Sequence, residues 1–192
     1  MRVLITYILL SINLACVSQN KNTAKDFNEK AMKLYNTNDT SQLFLGLQYL
    51  DSSINIDANY ITAYANKVNF LIKLKRRNEA IKVLESLIKK KHNVAESLMM
   101  EGFLYEKMED STEAQKRYKL AMETYKTRIQ NDPNNISNQV NLIFSEFMIT
   151  NDKQSAIKKI NDLKNKFPQN ELAKSMYETI EEFDRDNFMQ QF

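Results

Sequence analysis

The fold is decided by residues 98–121, which read LMMEGFLYEKMEDSTEAQKRYKLA. Large apolar residues recur in this stretch at the three- and four-residue spacings that place side chains on one face of an α-helix. Asp110 stands three residues before Glu113, and a short polar residue in this position can satisfy the free amides at a helix N-terminus. The stretch therefore predicts two helices joined by a short polar turn.

The same arrangement recurs on both sides of this stretch. Small residues near the start of a second helix stand at Ala80, Ala114 and Ala156, which we call the repeat alanines. The first two are 34 residues apart, a period typical of stacked helix–turn–helix repeats. Each repeat alanine has large apolar residues sixteen and nine positions before it and four positions after it, where a helical hairpin must bury them. These are Tyr64, Leu71 and Leu84 in the first copy, Leu98, Tyr105 and Tyr118 in the second, and Val140, Phe147 and Ile160 in the third.

The second copy resembles the tetratricopeptide-repeat (TPR) family, whose template runs W-x2-L-G-x2-Y, then Ala, then an aromatic residue, then Pro. Gly102 takes the small position, Tyr105 the first aromatic position, Ala114 the alanine position and Tyr118 the second aromatic position. The other copies depart from the template at the Leu-Gly pair, where they have Lys67-Val68 and Ile143-Phe144.

This resemblance implies an all-α protein, a TPR-like right-handed superhelix of antiparallel helix pairs with a C-terminal capping helix. The composition agrees, because the chain has only two glycines and two prolines, the residues that normally mark tight turns. We expect one helical repeat domain of nine helices at 24–192. Its repeats are predicted at about 24–59, 61–93, 95–135 and 137–170, followed by a cap at 171–190.

The segments between the copies predict helix lengths and starts. The second and third repeat alanines are 42 residues apart, so we expect the helix from Ser111 to Gln130 to be about two turns longer than its peers. Polar residues that can cap a helix stand at the predicted starts, at Asn78, Asn93, Asp110, Asp152 and Asn170.

The first residues indicate an exported protein. Met1-Arg2 is followed by VLITYILLSINLA, an apolar run too short to cross a bilayer but typical of a secretory signal. The end of this run at Cys16 resembles the lipobox of bacterial lipoproteins, in which the cysteine is acylated, although Asn13 stands where that family prefers an aliphatic residue. We predict a removed signal peptide at 1–15, a lipid on Cys16, a tether at 16–23 and a lipid-anchored location in the bacterial envelope, at the outer membrane. An ordinary signal peptide and a retained hydrophobic anchor are the alternatives.

The composition argues against several classes of function. One cysteine and one histidine, His92, cannot form a His/Cys metal cluster. Gly46 and Gly102 are isolated, so no Gly-rich phosphate loop is present. The formal charge of +3 includes Arg2 of the predicted signal peptide, and the near-neutral remainder gives no reason to expect nucleic acid. We therefore predict no cofactor, no metal, no catalytic residue and no nucleic-acid partner.

The TPR resemblance implies that partners bind in the concave groove lined by the first helix of each repeat. Asparagine side chains there would supply hydrogen bonds, and an aromatic side chain would anchor an extended peptide or a helix. In a degenerate array the same positions would merely face solvent, and this alternative stays open. The groove candidates are Asn69, Met99, Phe103, Asn138, Asn141 and Met148.

The leading hypothesis is a membrane-tethered adaptor, not an enzyme, that binds a protein or peptide through the groove or through the long helix of the third repeat. A second hypothesis is a structural subunit of an envelope assembly, which would expose a large apolar patch as a monomer. A third is a hydrolase that uses groove carboxylates, which would show as two neighbouring acids with perturbed pKa values.

Overall fold

The computed structural model of this protein describes residues 23–190 and 192. All regular secondary structure in these residues is helical, so the all-α prediction is confirmed. No helix in this part of the chain is long and apolar enough to span a lipid bilayer. The ten helices are α1 (Ala24–Met32), α2 (Thr40–Ile56), α3 (Ile61–Lys73), α4 (Arg77–Lys89), α5 (Val94–Lys107), α6 (Ser111–Asn131), α7 (Ile136–Thr150), α8 (Lys153–Lys166), α9 (Glu171–Glu182) and α10 (Arg185–Met189).

The described residues fall into two compact units, and the division lies inside α3. The first unit contains residues 23–66, and the second contains residues 67–190 and 192. The candidate site described below lies wholly in the second unit. The predicted boundaries of the repeats and of a single domain remain predictions.

In the first unit, α1 packs against α2 and is joined to it by a buried hydrogen bond. The hydroxyl of Ser53 on α2 donates to the main-chain oxygen of Ala24 on α1 at 2.6 Å. The side-chain amide of Asn66 on α3 donates to the side-chain oxygen of Asn28 on α1 at 2.7 Å. Because Asn28 and Ser53 are buried, these bonds satisfy polar groups that water would otherwise have to reach.

In the second unit, neighbouring helices pack against one another along the chain. Contacts join α4 to α5, α5 to α6, α6 to α7, α7 to α8 and α8 to α9, as expected for stacked hairpins. The repeat alanines lie in the core, with Ala80 0%, Ala114 2% and Ala156 4% exposed. The prediction that these small residues are buried is therefore confirmed.

The crossing of α5 and α6 depends on a glycine. Gly102 is buried, and a Cβ atom there would meet the ring of Tyr118, with Cδ1 only 2.5 Å away and Cε1 closer still. Tyr118 is itself fully buried, so its ring packs directly on the α5 backbone. A glycine at the small position of the template is what allows this close approach.

Three hairpins of the second unit turn through a left-handed residue that is not glycine. These residues stand five positions before the repeat alanines, with φ 59° at Lys75, 62° at Glu109 and 54° at Asn151. Such a φ is uncommon for residues with a Cβ atom, although asparagine tolerates it better than most. The turns are thus formed against the local preference of Lys75 and Glu109, and the packing of the helices on either side holds them.

Three of the predicted helix caps form as expected. Asp110, Asp152 and Asn170 each accept a hydrogen bond from the main-chain N–H three residues on, at 3.0, 2.9 and 3.1 Å. The prediction was wrong for Asn93, which precedes α5 in a left-handed conformation and makes no side-chain cap bond. It was also wrong for Asn78, because α4 begins one residue earlier.

The prediction of a long helix from Ser111 is confirmed, since α6 has 21 residues and no other described helix exceeds 17. The segment predicted as one capping helix forms two, so the described residues hold ten helices rather than nine. Phe183 is extended (φ −61°, ψ 121°), and Asp184 then accepts a bond of 2.9 Å from the main-chain N–H of Asn187. The sequence 171–190 carries an apolar stripe at Leu172, Met176, Ile180, Phe183 and Phe188, which predicted one helix. An aspartate that caps a new helix breaks this stripe, and α10 is not a continuation of α9.

Candidate functional site

The structure gives the six predicted groove residues different surroundings. Asn69 on α3 is exposed, whereas Asn138 and Asn141 on α7 are half-buried. Met99 and Phe103 on α5 and Met148 on α7 are buried in one cluster, with exposures of 6%, 7% and 0%. The predicted lipidation site, Cys16, lies outside the described residues. The methionines and the phenylalanine are thus brought together, but they are covered.

What covers them is another part of the same chain. We define the tail segment as residues 183–192, of which residue 191 is not described, and the α5/α7 face as the surface formed by Met99, Phe103, Glu106, Phe144 and Met148. The rings of Phe188 and Phe192 in the tail segment lie 5.1 and 5.3 Å from the ring of Phe103, measured between centroids. These separations are typical of favourable aromatic pairs. The tail segment therefore contacts the predicted anchor residue directly.

Phe144 on α7 forms the neighbouring part of the α5/α7 face. Its ring centroid lies 5.8 Å from that of Phe183, 6.2 Å from that of Phe188 and 6.3 Å from that of Phe103. Phe144 stands twelve positions before its repeat alanine, the place that Gly102 has in the second copy. A position that the template reserves for a small residue therefore carries an aromatic ring that packs on the tail segment.

An ion pair fixes the tail segment beside these rings. Arg185 donates to both carboxylate oxygens of Glu106 on α5, through Nε at 2.7 Å and Nη2 at 2.8 Å. Nη2 of Arg185 also donates to the main-chain oxygen of Met148 on α7, at 3.1 Å. Two parallel bonds of this kind give both strength and directional specificity. The arginine thus contacts both helices of the face at once.

The surroundings of Glu106 orient its carboxylate and keep it charged. The hydroxyl of Tyr118 donates to Oε2 of Glu106 at 2.7 Å. Burial by itself raises the pKa of Glu106, but the hydrogen bonds from Arg185 and Tyr118 and the charge of Arg185 outweigh burial, and the net pKa lies below the usual value. Burial, together with the bond to Glu106, raises the pKa of Tyr118. Glu106 therefore carries a negative charge and Tyr118 keeps its proton at neutral pH.

Cations also hold the main chain at both ends of the tail segment. Nζ of Lys153 donates to the main-chain oxygen of Phe183 at 3.3 Å. Nη2 of Arg77 on α4 donates to the main-chain oxygen of Phe192 at 2.7 Å. Every residue has a main-chain oxygen, so these two bonds hold the segment in place without selecting particular side chains.

A buried acid lies next to this region but outside the α5/α7 face. Glu101 on α5 is 0% exposed. Nη1 of Arg117 lies 2.9 Å from its Oε2, yet no described residue donates a well-oriented hydrogen bond to either oxygen. Burial raises the pKa of Glu101 to about 7, and Glu85 and Glu113 add to the effect, whereas Arg117 opposes it. In the part of the chain that the structure describes, no group of His, Cys, Asp and Glu could hold a metal ion.

A cleft of about 380 Å³ opens between α6, α7 and α8. Apolar side chains including Met122, Ile143 and Phe147 line it, together with Glu146 and Lys159, whose charged atoms are 2.6 Å apart. The volume is within the range of small-molecule sites. Lys119 and Asp152 also line the cleft, and Asp152 accepts the bond that caps α8. With Glu146 and Lys159 paired to each other, we assign no ligand to this cleft.

The sequence pointed to Phe103 but missed Arg185 and Phe192. A signal for them existed, because Arg185, Phe188 and Phe192 are separated by three and four residues, a spacing that can present side chains on one side of a helical segment. The sequence did not indicate where this segment packs, because Arg185 and its partner Glu106 are 79 residues apart.

Comparison with known proteins places the fold. No family model matches the chain, and no curated protein matches it in sequence. A TPR protein from Parabacteroides merdae ATCC 43184 is similar in structure, with a TM-score of 0.54, 14% identity, and coverage of 94% of this chain and 64% of that one. This chain thus spans less than two thirds of that protein. YrrB, described as a TPR protein with an unusual peptide-binding site, is less similar, with a TM-score of 0.47, 16% identity, and coverage of 87% of this chain and 80% of that one. The first likeness shows that the chain has the TPR fold, as the sequence predicted.

Proposed function

We propose that this protein is an interaction scaffold that binds a peptide or protein segment on the α5/α7 face, and that a lipid on Cys16 tethers it to the membrane of the bacterial envelope. One observation carries the proposal. The α5/α7 face holds a separate stretch of polypeptide, the tail segment, through side-chain anchors from two helices. A surface that holds one segment in this way has the shape and chemistry to hold another.

The contacts on this face are of the kind that dominates binding between proteins. Aromatic side chains and arginine are enriched among the residues whose truncation weakens interfaces most. Here Phe103 and Phe144 offer rings, and Glu106 offers a carboxylate already oriented by Tyr118. An amphipathic helix or short peptide laid between two helices uses such anchors.

The acids of this region support binding rather than catalysis. Glu96 stands three residues before Met99 and Glu106 three residues after Phe103, so these carboxylates share the helix side of the predicted groove residues. Glu96 accepts two hydrogen bonds from Arg128, at 2.6 and 3.1 Å, and Glu106 accepts two from Arg185. A hydrolase of the kind considered above needs two neighbouring acids free to exchange protons, so we propose that the protein is not an enzyme.

A photocrosslinking experiment in membranes tests the scaffold function. A probe in place of Asn141, which is half-buried on α7, should crosslink to a discrete partner. The same probe in place of Lys158, which is exposed on α8, is the control and should not. Truncation of Phe103 to leucine keeps the core filled but removes the ring, and should reduce the crosslink. No partner from Asn141 under any growth condition, with the helical content unchanged, would reject the proposal.

The tether is tested separately. Cys16 is the only cysteine of the chain, so a labelled fatty acid on a thiol must be attached to Cys16. Label should enter the wild-type protein and disappear in Cys16→Ser, and the variant should leave the membrane fraction. Two or more acyl chains are needed for durable anchoring. Equal labelling of both proteins would reject the tether and leave the scaffold function untouched.

A structural subunit is the second candidate, because the first unit exposes several large apolar side chains. Phe44 and Leu45 on α2 are 42% and 40% exposed, and Met32 and Ile56 are also exposed. Apolar side chains that remain exposed in a monomer are buried when subunits assemble. Light scattering of the purified protein should then give a mass of several chains, and Phe44→Ser should lower it. A monomer at all concentrations would reject this role.

A further inference from the structure

We infer that the α5/α7 face recognises a peptide segment with an arginine followed by aromatic residues three and seven positions later, and that such a segment binds by displacing the tail segment. The inference rests on the proposed scaffold function and deepens it by naming the chemistry of the partner. Its basis is that Arg185, Phe188 and Phe192, at this spacing, contact the carboxylate of Glu106 and the ring of Phe103. Met189 and Phe183 of the tail segment add apolar contacts beside them.

The α5 part of the face, Phe103 and Glu106, is built independently of the tail segment. The ring of Tyr118 is locked against Gly102, and its hydroxyl orients the carboxylate of Glu106. The same ring lies 5.7 Å from the ring of Phe103, which sets the position of that anchor. Because these contacts all lie within the hairpin formed by α5 and α6, the carboxylate and the aromatic surface keep their relative positions when the tail segment leaves.

The tail segment is short and partly exposed, although Met189 within it is buried. Its helix α10 has five residues, far too few to be stable on helix formation alone. Phe183, Phe188 and Phe192 remain half-buried, whereas Phe103, which they cover, is buried. The side chains of Arg185 and Glu106 keep 24% and 23% of their exposure, so water reaches the ion pair. Segments of this kind open locally while the rest of the domain stays folded.

Charge and shape define the partner that can replace it. The carboxylate of Glu106 requires a cation, and the nearby main-chain oxygen of Met148 requires a second donor from the same group, which favours the planar guanidinium of arginine over lysine. The rings of Phe103 and Phe144 require aromatic partners close to that arginine. The attached tail segment competes at a high effective concentration, so a partner in solution needs the same anchors and additional contacts.

The test uses the full chain and a fluorescent peptide with the sequence of residues 183–192, FDRDNFMQQF. In the variant Phe188→Ala/Phe192→Ala the tail segment loses both rings that cover Phe103, and the peptide should bind at least about tenfold more tightly than to the wild type. The matched control is Leu120→Ala/Leu172→Ala, which truncates two exposed apolar residues elsewhere and should bind as the wild type does.

A second peptide tests the arginine. Replacing the arginine that corresponds to Arg185 by glutamate places like charges together at Glu106 and should weaken binding to the double-alanine variant by at least about tenfold. Equal affinity of the two peptides, or equal binding of the first peptide to the wild type and to the double-alanine variant, would overturn the inference.

A reporter keeps the test valid if the double-alanine variant folds poorly. The chain has no tryptophan, so Phe192→Trp introduces a single tryptophan into the tail segment, which can be excited selectively over the nine tyrosines. Saturating peptide should shift its emission to longer wavelength as the segment moves into water. No shift at any peptide concentration would overturn displacement.

The two proposals fail in different ways. A partner captured from Asn141 that neither competes with the peptide nor binds more tightly after Phe188→Ala/Phe192→Ala would overturn the inference and leave the scaffold function standing. Tight peptide binding with no partner captured from Asn141 would instead overturn the scaffold function.

Discussion

In the hairpin of α5 and α6, Gly102 lets the ring of Tyr118 pack directly against a helix backbone, whereas the hairpin of α7 and α8 has Phe144 at the equivalent position. A phenylalanine cannot fit into so close a crossing. Its ring contacts Phe183 and Phe188 of the tail segment instead. The copy that departs from the repeat template therefore adds Phe144 to an aromatic surface whose other ring, Phe103, comes from the copy that keeps the glycine. We call the hairpin of α5 and α6 the rigid hairpin and the hairpin of α7 and α8 the docking hairpin.

The largest expected effect is on the rigid hairpin. In Gly102→Ala the new methyl group overlaps the ring of Tyr118, which is fully buried and cannot move without disturbing its bond to Glu106. We expect the free energy of unfolding to fall by about 3 kcal/mol, at the upper end of the range for overpacked cores, as measured by urea denaturation. The exposed change Ser175→Ala on α9 is the control and should alter stability by less than about 0.5 kcal/mol. A similar small loss for Gly102→Ala would mean that this crossing is not tight.

The next effect depends on pH and is specific to the same hairpin, where Glu101 stands at the position that Ile143 has in α7. The folded-state pKa of about 7 lies above the usual value of 4.5 for this carboxyl, so folding favours the protonated acid. The stability that this group contributes is present below about pH 4.5 and is lost as the pH rises to about 7. Between pH 5 and pH 8 the wild type should lose about 2 kcal/mol through this group, and Glu101→Gln should not.

Stability measured by urea denaturation across this pH range checks the sign. The exposed change Glu178→Gln removes one carboxylate elsewhere and should retain the wild-type slope. If Glu101→Gln had the same slope as the wild type, Glu101 would be charged in the folded protein at both pH values, and Arg117 would have to compensate fully for its burial.

A smaller effect is expected on the docking hairpin. Phe144→Ala removes a half-buried ring that contacts the tail segment, and should reduce stability by about 1–2 kcal/mol. Amide exchange in residues 184–190 should accelerate by about tenfold, because these residues open separately from the core. Ile136→Ala, at the other end of α7, should lower stability without changing exchange in this segment. Unchanged exchange after Phe144→Ala would show that Phe144 does not hold the tail segment.

The smallest effect compares the turns of the two hairpins. Glu109 and Asn151 both adopt left-handed conformations, which penalise most residues but asparagine less. Glu109→Gly should stabilise the protein by up to about 1 kcal/mol, and Asn151→Gly by only a few tenths, with the difference read from thermal unfolding. A larger gain in stability for Asn151→Gly than for Glu109→Gly would contradict the assignment of strain to the turn at Glu109.

Much of the fold was predictable because it depends on local rules. The spacing of the repeat alanines and their apolar neighbours reflects how any helical hairpin buries one face, and the extra residues between Ala114 and Ala156 could only lengthen a helix or a loop. Asn93 and Asn78 show the limit of such rules. Asn93 has the chemistry of a cap, but the turn before α5 places it in a left-handed conformation from which its side chain makes no cap bond.

The candidate site was only half predictable. Met99, Phe103 and Met148 could be assigned to a groove from their positions in the repeat. The cover over these residues by another segment of the same chain could not be predicted. Arg77 and Phe192, which join in that cover, are 115 residues apart, and no local preference links them. The break at Asp184 was readable as a possible cap, but the continuous apolar stripe favoured one helix. Tertiary contacts of the tail segment decided between the two.

The distance along the chain between the tail segment and its anchors also orders events during synthesis. Contacts between residues 79 and 115 positions apart form only after every intervening helix has been made. Until residues 183–192 have been made and have packed, the rings of Phe103 and Phe144 have no aromatic cover from this segment. A chaperone that favours aromatic side chains can therefore bind the incompletely folded protein, and packing of the tail segment ends this interval.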